Sequence, residues 1–122
     1  MRPLVVAVAA ASAAACATAP RPPPPPAEDA SPRAVAARFL DAVEAGRWDD
    51  AYVLLSARWR ERLTPARLAA DRSQGGALAA DRLERARLAL RETPAATADE
   101  ARFDDAIRLV RESGGWRIDG LP

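Results

Sequence analysis

The chain has 122 residues, of which 49% are hydrophobic, and its 18 basic and 17 acidic side chains leave a formal charge of +1. Histidine is absent and cysteine occurs once, so the usual near-neutral general base is missing and no zinc cage, Cys–His dyad or Ser–His–Asp triad can be assembled. Every basic residue is arginine, yet without Arg2 the balance is 17 to 17, and no basic excess points to a nucleic-acid partner.

The first twenty residues, MRPLVVAVAAASAAACATAP, set Arg2 before an apolar run from Leu4 to Ala11, then small residues leading into Cys16. That order reads as an export signal. A membrane-spanning anchor needs about 20 strongly apolar residues, and this run is shorter and alanine-rich. An ordinary signal peptide would be cut after Ala13-Ala14-Ala15. The reading we favour is a resemblance to bacterial lipoprotein signals, in which small residues precede a cysteine that is acylated and becomes residue one. Ala13 departs from the leucine usual three positions before that cysteine. Acylation removes a thiol that would otherwise lie exposed in an oxidising compartment. One acyl chain, at about 0.8 kcal/mol per buried methylene, holds only weakly, so stable anchoring takes more than one. The resemblance implies a signal peptide over 1–15, membrane attachment through lipidated Cys16 and, because Ala17 is not aspartate, the periplasmic face of the outer membrane rather than the inner membrane.

Residues 16–30 read as a disordered proline-rich linker. Five consecutive prolines, Pro22 to Pro26, favour an extended polyproline II spacer, and the segment from Pro20 to Pro32 spans roughly 30–40 Å. Residues 31–122 suffice for one small domain. Ser31 and Pro32 predict a helix start and Gly46 its stop, with Val35, Ala36, Phe39, Leu40 and Val43 on one face. A second helix follows from Trp48, with Asp49 and Asp50 complementing the dipole and Trp48, Ala51, Tyr52, Leu55 and Trp59 sharing a face. Around Trp59, Arg58, Glu61 and Arg62 read as a solvated face. Thr64-Pro65 opens a third, short helix that holds Leu68 and ends at Gly75-Gly76.

Beyond the glycines the period changes. Ala86, Leu88 and Leu90 alternate with Arg85, Arg87, Ala89 and Arg91, which predicts a strand over 85–92 broken by Thr93-Pro94. The stretch 99–112 fits a helix or a strand. Ser113-Gly114-Gly115 followed by the alternating Trp116-Arg117-Ile118-Asp119 predicts a terminal hairpin, with Ile107, Leu109, Trp116 and Ile118 among its apolar positions.

Helices followed by an antiparallel sheet that ends in a Gly-Gly-Trp hairpin resemble the nuclear transport factor 2-like superfamily, which includes the ketosteroid-isomerase-like proteins. AARFLDAVEAGRWDDAYVLLSARWR and IRLVRESGGWRIDGLP carry the likeness, about a third of the chain. It implies an α+β fold in which N-terminal helices pack on a curved antiparallel sheet to form a cone, and exposed sheet faces that pair two copies. It does not imply a function. Members that are enzymes use aspartate, tyrosine and histidine in the cone, and neither Tyr52 nor Asp49 and Asp50 maps onto such a motif. Tyr52 reads as a core residue with its hydroxyl at the edge. Trp48, Tyr52, Trp59 and Trp116 are the candidate pocket residues, no catalytic, metal or cofactor residue is expected, and Cys16 is the residue with a defined chemical role. The expected function is a lipid-anchored envelope protein whose non-catalytic domain binds a small apolar molecule or an envelope protein. The alternatives are a small enzyme using the cone, or a structural assembly module.

Overall fold

The computed structural model describes residue 3 and residues 30–121; the expected signal, the acylated Cys16 and the linker up to residue 29 lie outside the described residues. Helix α1 (Pro32–Glu44) begins where its cap predicts. The Ser31 hydroxyl accepts from the Ala34 N–H at 3.1 Å, and Pro32 occupies the first turn, where its missing N–H costs nothing. The helix ends at Ala45, and Gly46 turns the chain away at φ 70°. Val35, Ala36, Phe39, Leu40, Ala42 and Val43 are buried along its inner face.

The expected second helix is two helices, α2 (Trp48–Val53) and α3 (Ala57–Arg62). A backbone partner breaks it. The last strand, β4 (Gly115–Gly120), presents an edge at Ile118, whose N–H donates to the Leu54 carbonyl while its own carbonyl accepts from the Ser56 N–H, both at 2.8 Å. This parallel bridge covers the edge of β4 and buries Leu54, Leu55 and Ser56. The faces of α2 and α3 are therefore not one continuous stripe.

Helix α4 (Pro65–Ala89) starts at Thr64, whose hydroxyl accepts from the Arg67 N–H at 3.1 Å. It bends at Gly76, which sits at φ 51° and ψ −130°, then resumes for another three turns. The strand expected over 85–92 is thus helix to Ala89. Leu83, Ala86, Ala89 and Leu90 are buried at spacings of three and four, while Leu88 is 51% exposed. Ala86 and Leu90 satisfy both periods, which is why the alternation misleads. Two ties hold this half of α4 to α1. Arg87 forms a fork with Glu44 (3.0 and 2.7 Å) and reaches Asp41 at 2.7 Å. Arg33 donates to the carbonyls of Leu90 and Glu92 at 2.8 and 2.7 Å, satisfying the end of the helix.

The stretch 99–112, open between helix and strand, forms strands. With β1 (Ala95–Ala96), β2 (Glu100–Phe103) and β3 (Ile107–Glu112), β4 completes a four-stranded antiparallel meander in the order β1-β2-β3-β4. The predicted terminal hairpin is β3–β4, turning at Ser113-Gly114 with Gly115 at φ 104°. Ala101, Phe103, Ile107, Leu109, Trp116 and Ile118 are all buried and pack in one cluster with the inner face of α1. The protein is α+β, helices first and an antiparallel sheet after. No described helix is long and apolar enough to cross a membrane.

Candidate functional site

Asp119 is the one charged residue buried among the described residues, at 4% exposure. It points from the sheet face opposite Trp116 and Ile118, beneath α3. One carboxylate oxygen, Oδ1, accepts from the Ser56 hydroxyl and from Arg58 Nε, both at 2.8 Å; the other, Oδ2, accepts from Arg58 Nη2 at 3.1 Å and Arg108 Nη2 at 2.6 Å. The Asp119 backbone carbonyl accepts from the Trp59 indole and from Arg58 Nη2. Arg58 is thus no bystander on a solvated face; it anchors α3 to β4.

Burial pushes the Asp119 carboxyl up, but the hydrogen bonds from Arg58 and Ser56 and the charges of Arg58 and Arg108 outweigh it, so its pKa lies below the ordinary value. A general acid or base needs a carboxyl poised near the working pH with an oxygen free to exchange a proton. Asp119 has neither. Because Ser56 spends its hydroxyl on Asp119, the Glu112 carboxylate caps α3 in its place, accepting from the Ala57 N–H at 2.9 Å. The cluster is a structural ion-pair network in which both Asp119 carboxylate oxygens are satisfied, while the buried Arg108 Nε has no hydrogen-bond partner and lies 3.6 Å from Glu100 Oε1. Among the described residues, no group of three His, Cys, Asp or Glu side chains is placed to hold a metal ion.

The concave features lie elsewhere. A cleft of about 310 Å³ opens at the bend of α4, walled by Phe39 and Val43 of α1, Trp48 of α2, and Leu68, Leu78 and Leu83 of α4. Leu121 is the sheet side's only contribution to it. The bend creates this cleft by turning the two halves of α4 around Gly75-Gly76, and it leaves Leu78 59% exposed at the mouth. Two polar side chains at its floor are already engaged: Asp71 pairs with Arg67 at 2.9 Å, and Arg72 donates across the bend to the Ala79 carbonyl at 3.1 Å. A second, wider cleft of about 670 Å³ runs between the end of α4 and the β2–β3 turn, lined by Arg82, Arg85, Leu88, Glu92, Asp104 and Asp105 among others.

Of the four candidate pocket residues, only Trp48 lines either cleft. The Tyr52 hydroxyl donates to the Arg60 carbonyl at 2.9 Å, and Trp59 donates to Asp119, so both secure α3. Trp116 is buried in the core with the Arg111 guanidinium 5.7 Å above its ring. Asp49 and Asp50 occupy the first turn of α2, and Asp50 also accepts from Arg47 at 3.3 Å. Sequence reasoning missed Leu78, Arg82 and Leu121 as lining residues. The available signal was the Gly75-Gly76 pair, read as a helix end where it marks a bend. Comparison with protein-family models, with curated proteins and with solved structures gives no match.

Proposed function

We propose that the chain is a lipid-anchored bacterial envelope protein, acylated at Cys16 and carried off the outer membrane by its proline-rich linker, with a nuclear transport factor 2-like domain that binds an apolar ligand and does no chemistry on it. One observation carries the binding reading: the cleft at the bend of α4, walled by apolar side chains from three helices. Its volume falls at the small end of the range for ligand sites, enough for a single acyl chain or a similar group. The buried carboxylate argues against the enzyme alternative, because its donors hold it ionised. The space between α1 and the sheet, where a catalytic cone would be expected, is occupied by Leu40, Leu55, Phe103, Ile107 and Leu109.

Two measurements test the two halves of the proposal. Cys16→Ser should abolish labelling by a fatty-acid analogue and release the protein from the membrane fraction; a wild type without label and with unchanged fractionation overturns the anchor. Monolaurin, added below its micellar range, should bind the purified chain saturably. Leu78→Asp should weaken that binding at least tenfold with the melting midpoint unmoved, since Leu78 is already exposed. Equal binding by the variant would place the ligand outside the cleft.

A further inference from the structure

We infer that the ligand of this cleft is a single-chain phospholipid whose head group is a phosphate followed by a terminal ammonium. The inference rests on the binding reading above and adds the order of charges along the trough. Arg82 and Leu121 line both clefts, so the apolar cleft and the wider one adjoin at these residues. Among the described residues, Arg82 joins no salt bridge. Past it, the wall of the second cleft carries Asp104, Asp105 and Glu92, none of them in a salt bridge, while Arg85 is taken up by Asp81 at 3.0 Å. From the apolar cleft through Arg82 to the wider one, the lining therefore runs from apolar side chains to one positive charge outside any salt bridge, then to negative charges outside any.

The complement of that order is an acyl chain, then an anion, then a cation. A fatty acid would satisfy Arg82 but set its own charge toward Asp104 and Asp105. A simple alkylammonium would carry its charge past Arg82. A phosphate bridging to an ammonium meets both, with the phosphate on the Arg82 guanidinium and the ammonium against the β2–β3 turn. Glu92 lines the same cleft from the α4 side and adds to the negative field.

The test is a titration of the purified full chain with three lauroyl probes below their micellar ranges: lysophosphatidylethanolamine, lysophosphatidylglycerol, which keeps the phosphate and lacks the ammonium, and monolaurin, which has neither. The first should bind about tenfold more tightly than the second at low salt, and the gap should narrow as salt screens these exposed charges. Replacing Asp104→Asn and Asp105→Asn together should erase that gap; asparagine tolerates the left-handed backbone of Asp104, at φ 53°. Arg82→Ala should weaken both phospholipids about tenfold and monolaurin markedly less, and thermal melts with a midpoint near that of the wild type show that each variant is folded. Equal affinity for the two phospholipids in the wild type, or a gap that survives the double substitution, overturns the head-group inference while monolaurin binding keeps the cleft reading intact. If no probe binds, both readings fail.

Discussion

A carboxylate that receives four donor contacts at the end of the last strand contributes to how the domain responds to acid. In the unfolded chain an aspartate titrates near pH 3.9, and in the fold Asp119 is held below that value. A group with a depressed folded pKa contributes its full stabilisation above the unfolded value and loses it as the pH falls through the folded one. Asp119→Asn should therefore cost about 2–3 kcal/mol near neutral pH. That is less than the loss of a fully buried pair, because the Arg58 and Arg108 side chains stay 54% and 38% exposed and can be hydrated. Urea unfolding at pH 7, 5 and 3 checks this: the gap between wild type and variant should hold from 7 to 5 and shrink below about pH 4. A gap that persists at pH 3 contradicts it. On the opposite face of the same strand, Trp116→Ala should cost about 3–5 kcal/mol, because it empties a core position, whereas Arg117→Ala should cost less than about 1 kcal/mol. Thermal melts of the two variants separate these outcomes. The two strand residues differ in how they could be read. Trp116 was legible because alternation with Ile118 and the glycine turn before it are local signals. Asp119 was not, because Arg58 and Ser56 stand 61 and 63 positions away and nothing near position 119 announces them.

Secondary structure was legible wherever caps and periods agreed, and misread where two periods shared residues. Ser31 with Pro32 and Thr64 with Pro65 announce their helices through side-chain chemistry that needs no tertiary partner. Residues 85–92 fit alternation because Ala86 and Leu90 each lie two positions from Leu88, yet the helix wins by burying Leu83, Ala86, Ala89 and Leu90 on one side. The break between α2 and α3 was hidden for another reason: the competing partner is the backbone of Ile118, which pairs with Leu54 and Ser56 and outbids the helical bonds those residues would make. The bend of α4 makes its own prediction. In an uninterrupted exposed helix, Gly→Ala stabilises by about 1 kcal/mol. Gly76→Ala should instead destabilise by about 1–3 kcal/mol, because no atom blocks a Cβ there and the whole penalty comes from φ 51° and ψ −130°. Denaturant titration gives the sign directly, and a more stable variant would mean that the helix straightens without loss.

The molecule as a whole joins a filled interior to an open exterior trough. The core between α1 and the sheet belongs to folding, and both edges of the sheet are managed, one by the two-residue β1 and the other by the Leu54–Ser56 bridge. The side of the sheet away from α1 is a charged ladder in which Glu100 pairs with Arg102, and Arg108 with Asp119. What remains for a ligand is the side where the bent helix leaves Leu78, Trp48 and Arg82 around a cleft. The resemblance that pointed to a cone directs attention to the space between helix and sheet, whereas the walls of this cleft are helical. Its residues come from positions 39 to 83 and from Leu121, so no short motif could have marked it. The most direct measurement is a map of backbone amide and indole shifts as isotope-labelled protein is titrated with monolaurin. The account predicts that the Trp48 indole and the amides of Phe39, Val43, Leu68 and Leu83 move together and saturate, while Ala101, Leu109 and Ile118 stay in place. Shifts concentrated at Ala101, Leu109 and Ile118, with Trp48 unmoved, would put the ligand between helix and sheet and contradict it.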